Sequence, residues 1–526
     1  MKSGLFVSLT VVVFCVLGGM YGPAIQPIAA AAPQDDLSSG LQSFTRVLNL
    51  VENNFADQVS LDKALYDGAI PGMLRTLDPH SSFLDPKTYQ LMQQNQRGQY
   101  YGVGMEINID GDYVVCTQPF PGSPAYRAGI HRGDLIASVD DKDVRKMSTA
   151  EVADLLKGPK GTKVTVGIKR QGEPQKLSFL ITRDEIVHSN VSTFWLKPGF
   201  AYTRLVDFSS QTTGRDMEEG LKSLGESNIN GLVLDLRGNP GGLVSEAVTV
   251  AGHFLQKGQT VVSHRGRASA EQVFRVTRQN PNSRKYPLVV LVDKYSASAS
   301  EIVSGALQDH DRAWVLGEST FGKGLVQAQY PLSEGTALLL TIAKYHTPSG
   351  RLIQRDYEHR SFFDYYQHRD KDARNLQDVQ KTDSGRTVYG GGGISPDEKY
   401  TAPAYTPFQV RILRPRWTFM HFANEQFAGQ KNQTLPQGWK PDDATIAKFQ
   451  DFLKKNDIGF AADEFAHDRQ WISDQIQIEM YSRAFDRKGA DQFQMQVDPE
   501  VLKAISSMPM AQGLLEEAGR VLARRK

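Results

Sequence analysis

Residues 293–327, DKYSASASEIVSGALQDHDRAWVLGESTFGKGLVQ, bring a serine-rich turn and a glycine-flanked lysine into one short stretch. The apolar run 287–292 ends in Asp293-Lys294-Tyr295, and a helical pattern through Ile302, Ala306 and Leu307 follows. Strand, turn and helix in that order put Ser296, Ser298 and Ser300 at or near a helix N-terminus, where free N–H groups and the positive end of the helix dipole favour a developing oxyanion. A serine attacking there needs a base. Residues 314–316 read as another short strand, and the turn 317–324 after it presents Lys323 between Gly322 and Gly324. Lysine accepts a proton only when neutral, so its ordinary pKa of about 10.4 must be lowered by burial in an apolar pocket. Taken singly, the serines read as turn and cap residues and the lysine as a solvated charge. The pair carries the chemistry.

Ser-Ala-Ser-Ala-Ser-Glu-Ile, followed by Thr320-Phe321-Gly322-Lys323-Gly324 and then Val326-Gln327, resembles the signature of the carboxy-terminal processing peptidases, also called tail-specific proteases. The resemblance implies a serine endopeptidase with a ClpP/crotonase-like α/β core. By it, Ser298 is the nucleophile, Lys323 the general base and Gln327 the residue that orients the lysine, with Ser296 and Ser300 structural.

Elements able to position such residues surround them. From about 187 to 400 the chain alternates strands and helices: a strand over 200–205, a helix over 215–224, and an apolar strand over 229–236 that ends in Arg237-Gly238-Asn239-Pro240-Gly241-Gly242. A helix with Val244, Ala247, Val250 and Ala251 on one face follows. Repeated units of this kind place functional loops at strand carboxyl ends, within reach of Ser298. A second oxyanion donor must be a backbone N–H that can approach closely, which suits glycine. By resemblance the two donors are Gly242 and Ala299, with Gly241 the alternative. Residues 336–345 read as a long strand, and 371–387 as a mobile charged segment.

Residues 96–186 change to short strands and turns: 105–109, 113–117, 135–139 and 163–168, with Ser148 and Glu151 as a capping box before a helix carrying Val152, Leu155 and Leu156. With Gly122-Ser123-Pro124-Ala125, Ala128-Gly129-Ile130 and Gly133-Asp134 in order, this resembles a PDZ domain of the bacterial protease type. Gly102, Val103, Gly104 and Met105 would form its carboxylate-binding loop, a peptide would add as a strand beside 106–109, and its last side chain would enter an apolar slot. The implied partners are protein or peptide substrates with apolar C-termini. Arg170 sits where some relatives carry an arginine that couples the two domains.

The remaining chain is helical at both ends. Residues 1–32 read as a signal peptide or, uncleaved, a membrane anchor: Lys2, an apolar core over 5–17, and small residues over 29–32. The mature protein is then extracytoplasmic, periplasmic or secreted, and meets a membrane only if that segment stays. Cys15 leaves with it, so Cys116 has no intramolecular disulfide partner. Leu41, Phe44, Leu48, Val51 and Phe55 predict a helix within a small N-terminal subdomain over 35–95 that ends in the turn around Pro79-His80-Ser81. Residues 401–526 predict helices that pack onto the core or join a second copy, giving a homo-oligomer through the helical ends.

With 60 Lys+Arg against 59 Asp+Glu, no basic excess points to nucleic acid. Scattered histidines, no HExxH, no CxxC and no phosphate loop imply no metal site and no cofactor. Two rival readings remain: a non-catalytic PDZ scaffold built on a decayed peptidase core, and a Ser/His hydrolase using His310 or His346.

Overall fold

The structure, a computed structural model, describes residues 34–525 apart from 98, 188, 278–283, 359–361, 368–374, 416, 430–434, 437, 485 and 486. The expected leader, Cys15 included, lies outside the described residues. The chain divides into two units, residues 1–73 and 74–526. In the first, the predicted helix forms as α1 (Gln34–Asn54), followed by a π-helical turn, Lys63–Ala69. Its apolar face does not become a core. Among the described residues Leu41 is 58 % exposed and Phe55 63 %.

In the second unit, β1 (Met105–Asp110), β2 (Tyr113–Pro119), β3 (Leu135–Val139), α2 (Thr149–Leu156), β4 (Lys163–Lys169) and β5 (Leu177–Thr182) build an antiparallel sheet in the order β1-β2-β3-β4-β5. Ser148 and Glu151 cap α2 reciprocally, as the spacing predicts. Val114, Cys116, Ile136, Val152, Val166 and Ile168 fill the interior, and the Cys116 thiol is one more buried apolar group. Among the described strands β1 pairs only with β2, so no strand lies on its other edge.

The following residues form β6 (Val191–Lys197), β7 (Phe200–Leu205), α3 (Thr213–Ser223), β8 (Gly231–Asp235), α4 (Val244–Gly252), β9 (Leu288–Val292), α5 (Ala299–Asp309), β10 (Trp314–Gly317) and β11 (Glu398–Lys399). They make one sheet in the order β6-β7-β8-β9-β10-β11, parallel from β7 onward. Side chains alternate across it. Leu232, Leu234, Leu288, Val290 and Val292 pack under α3, α4 and α5, whereas Val233, Val289 and Leu291 point to the opposite face.

What covers that opposite face comes from the end of the chain. Helices α6 (Pro407–Leu413), α7 (Thr418–Phe427), α8 (Asp443–Lys455), α9 (Ala462–Ala484), α10 (Arg487–Val497), α11 (Pro499–Ser506) and α12 (Met508–Arg525) fall into two groups. Met495, Val501, Ala504, Met508 and Ala511 of the last three pack on Val233, Val289 and Leu291. Arg237 fastens them at the sheet's edge, with Nη1 donating to Asp498 Oδ2 at 3.1 Å and Glu500 Oε2 at 2.9 Å while Nη2 holds Asp235 Oδ2 at 2.6 Å. Helices α6 to α9 enclose a separate cluster of Phe408, Phe422, Phe449, Ile472 and Ile476.

That cluster also grips the β1–β2 domain. Arg132 makes two hydrogen bonds to Glu479, of 2.9 and 2.8 Å, and His421 Nε2 lies 2.7 Å from Asp110 Oδ2. Among the described hydrogen bonds Arg170 donates within its own domain, to Asp134 and to the Gly129 carbonyl. A second sheet carries the strands Thr260–Gly266, Leu325–Pro331 and Ala337–His346. Within the segment read as mobile, Asn375–Lys381 pairs with Thr387–Gly390 as a hairpin instead. Its turn is pinned by Asp311, which accepts from Ser384 N and Arg386 Nε at 2.6 Å each.

Candidate active site

Loops leaving the carboxyl ends of three adjacent parallel strands, β8, β9 and β10, meet at one place. Asn239 laces the first two: its carbonyl accepts from Ala297 N at 2.9 Å and from Ser300 Oγ at 3.0 Å, and its own amide is anchored on the Leu205 carbonyl. Ser296 Oγ donates to the Leu236 carbonyl at 2.8 Å. The outer two serines therefore hold the loop, and Ser298 is left at the head of α5 with φ +54° and ψ −111°. A serine there stores strain on the order of 1–3 kcal/mol and persists only where its surroundings fix it.

The fixing group is Glu301, outside the set of residues to which the family resemblance gives a role. Fully buried, it accepts from Ser298 N at 2.8 Å, Lys323 N at 2.8 Å, Gly322 N at 2.6 Å and Thr320 Oγ1 at 2.5 Å. One oxygen, Oε2, thus holds the main chains of Ser298 and Lys323 side by side. Burial pushes the Glu301 carboxyl upward although these donors oppose it. Its position three residues after Ser298 is the capping-box spacing, a signal present in the sequence.

Lys323 is half-buried, and burial holds its amine below the ordinary lysine value against the opposing charges of Glu301 and Asp78. Its Nζ donates to Gln327 Oε1 at 3.2 Å, and Gln327 Nε2 donates to the His80 carbonyl at 2.7 Å. Asp78 shapes that segment by accepting from the N–H groups of His80 and Ser81 at 2.7 and 2.8 Å. The strand Ser82–Leu84 stitches it antiparallel onto residues 337–339. The His80 ring, 3.0 Å from Tyr365 Oη, is held down at about 4 by burial and by Lys323 beside it, so it is neutral at ordinary pH. It serves through its main chain. Among the described hydrogen bonds none joins Ser298 Oγ to Lys323 Nζ.

Gly241 packs directly on the serine: a Cβ there would lie 2.7 Å from Ser298 Cβ and 2.9 Å from Ala299 N. Its own N–H is taken by Asn239 Oδ1 at 2.9 Å. Gly242 follows with φ +149°, so close to Phe208 that a Cβ would meet its carbonyl carbon at 2.3 Å. Neither the Gly242 N–H nor the Ala299 N–H donates in any described hydrogen bond. Both can serve an oxyanion beside Ser298, whereas Gly241 cannot without giving up Asn239.

The rival histidines lie elsewhere. His310 caps the C-terminus of α5, about 18 Å along the helix from Ser298, with Nδ1 2.8 Å from Asp383 and Nε2 2.7 Å from the Thr260 carbonyl. His346 Nδ1 contacts the Gly350 carbonyl at 3.2 Å.

In the other domain, Gly102, Val103, Gly104 and Met105 lie between Tyr101 and the open edge of β1. The carbonyls of Tyr101, Val103 and Gly104 are turned inward, accepting from Gly158 N, Ala125 N and Phe120 N. Ser123 Oγ adds a 2.7 Å bond to the Gly104 carbonyl. Val103, Met105, Val152 and Leu156 give the adjoining apolar wall.

A strained serine at a helix head, a half-buried lysine and a strand-edge peptide groove in one chain define a serine peptidase that carries a PDZ domain. The comparisons narrow the class. The profile of peptidase family S41 matches residues 199–358, that of a PDZ domain residues 115–170, and that of the activating protease CtpB N-terminal domain residues 25–88. A carboxy-terminal-processing protease of Bartonella bacilliformis is 35 % identical over 349 residues, covering 65 % of this chain and 80 % of that protein. The carboxy-terminal processing protease CtpB of Bacillus subtilis is 32 % identical, covering 62 % and 68 %. A carboxyl-terminal-processing protease of Synechocystis is 39 % identical, covering 55 % and 68 %. The chain belongs to the carboxy-terminal processing proteases of peptidase family S41.

Proposed function

We propose that the chain is an endopeptidase working by a Ser/Lys dyad. Ser298 Oγ attacks the scissile carbonyl carbon and passes its proton to neutral Lys323 Nζ. The tetrahedral oxyanion lies against the N–H groups of Gly242 and Ala299. Collapse breaks the C–N bond, Lys323 returns the proton to the leaving amine, and an acyl-enzyme remains; water, deprotonated by Lys323, then attacks the acyl carbon, and Lys323 passes that proton to Ser298 Oγ as the ester C–O bond breaks. Gln327 keeps Nζ in place. The hydrogen bond from Ser298 to Lys323 forms as substrate closes the site, since catalytic contacts are often open in free enzymes.

The observation that carries this reading is the single Glu301 oxygen holding both backbones, with two unclaimed N–H groups beside it. The groove at residues 102–105 takes apolar C-terminal tails and gates their delivery to Ser298, so cleavage falls near substrate C-termini. The pattern over residues 1–32 supports an extracytoplasmic site of action, and the exposed apolar face of α1 supports association of copies through the helical ends. Incubating an unfolded protein with an apolar tail and following products by mass spectrometry tests the mechanism. Ser298→Ala and Lys323→Ala are each expected to abolish cleavage with an unchanged circular dichroism spectrum. Full turnover by either variant defeats the assignment.

A further inference from the structure

The groove edge of β1 is not open along its whole length. β1 and β2 are joined through Gly111 and Asp112, with Gly111 at φ +59° and Asp110 opposite Tyr113. In a two-residue hairpin the flanking pair exchanges both hydrogen bonds, so at the next pair, Ile109 with Val114, the N–H and C=O of Ile109 point away from β2 along the free edge. Both groups are already engaged. Ile109 N donates to Asn108 Oδ1 at 2.8 Å, and the Ile109 carbonyl accepts from Trp417 Nε1 at 3.1 Å.

Trp417 belongs to the C-terminal helices, 308 residues away in sequence. It sits immediately before α7 with φ +70° and ψ +20°, a left-handed conformation that is unusual for so bulky a residue. One turn further along α7, the contact of His421 with Asp110 holds the hairpin's end against the same helix. Two contacts from one helix therefore fasten the far end of β1.

A tail whose carboxylate rests on residues 102–105 runs antiparallel to β1. Every two residues back along the tail advance two along the strand. The outward groups of Ile107 meet the third residue from the end, and those of Ile109 would meet the fifth. We infer that Trp417 is a specificity-determining residue that shortens the peptide groove, so that a tail is read over about its last four residues and the chain upstream turns off β1 at the indole. This rests on the tail-binding reading above.

The test uses the full chain carrying Ser298→Ala, so that peptides survive, and isothermal titration with peptides of four, six and eight residues sharing one apolar C-terminus. A C-terminally amidated eight-residue peptide is the control. The expected Kd is the same within about twofold for all three free-acid lengths. Adding Trp417→Phe, which keeps the ring and loses the N–H, or Trp417→Ala is expected to tighten the eight-residue peptide about fivefold or more and leave the four-residue one unchanged. A Kd that already falls about fivefold from four to eight residues with Trp417 intact overturns the inference. So does a flat profile in both Trp417 variants, with thermal melts showing them folded. Failure of every free-acid peptide to bind instead removes the tail-binding reading and this inference with it.

Discussion

In the proposed mechanism the loops around Ser298 and the loop at residues 102–105 face the same physical problem, a negatively charged oxygen to be met by backbone N–H groups, and they are built differently. Around Ser298 the loops are fixed by buried side chains, Glu301 and Asn239, that reach across from one strand end to the next. The peptide loop is fixed by its own carbonyls and by one hydroxyl, Ser123. The oxyanion exists only in passing, so its donors must be in place before it forms. A carboxylate is stable and can wait for its loop. Rigidity is concentrated where the charge is transient.

Perturbing each kind of support separates the two. The largest loss is expected from Glu301→Ala, which strands three main-chain N–H groups and the Thr320 hydroxyl in a buried site: kcat/KM should fall about 1000-fold, on the basis of about 2 kcal/mol for each charge-assisted bond to Ser298 and Lys323, while tail affinity measured by titration stays put. Gly242→Ala should lower kcat about 100-fold, the scale of one lost oxyanion donor, because its Cβ collides with the Phe208 main chain. Lowering the pH gives a graded version. Only neutral Lys323 is a base, so kcat/KM should fall about tenfold per pH unit below a lysine pKa lying under its usual 10.5, over a range in which tail binding hardly changes. An acidic limb centred at the ordinary lysine value would show that burial does not act as described. The smallest effect belongs to Gly104→Ala. With φ +78° and Ser123 Cβ 2.5 Å from the new methyl, it should weaken tail binding about fivefold, for roughly 1 kcal/mol of strain, and leave the cleavage of short peptides intact.

Most of what surrounds Ser298 is local in sequence and was legible there. The runs 229–236, 287–292 and 314–316 and the turns that follow them fix strand, loop and helix order, and the Ser298–Glu301 spacing was readable as a capping box even though no function was attached to it. What was not legible depends on long-range contacts. Nothing near Gln327 announces that its amide rests on the His80 carbonyl, 247 residues away. The pairing of Arg132 with Glu479 and the reach of Trp417 to Ile109 join distant segments in the same way. Helical spacing identified α1 and α9 alike, yet Ile472 and Ile476 are fully buried while Leu41 and Phe55 are not. Periodicity reports a face and is silent on its cover. The charged composition of 371–387 suggested mobility because it could not show Asp311 waiting for Ser384 and Arg386.

The placement of Met495, Val501 and Met508 on Val233, Val289 and Leu291 has a temporal consequence during synthesis. Some two hundred residues separate the nucleophile from the last segment needed to shield the hydrophobic underside beneath it. A nascent chain can therefore carry a complete set of reactive groups on the ribosome without the support that aligns them. On the proposed Ser/Lys mechanism, translation then acts as a safety delay that lasts until the segment through Ala511 has been made.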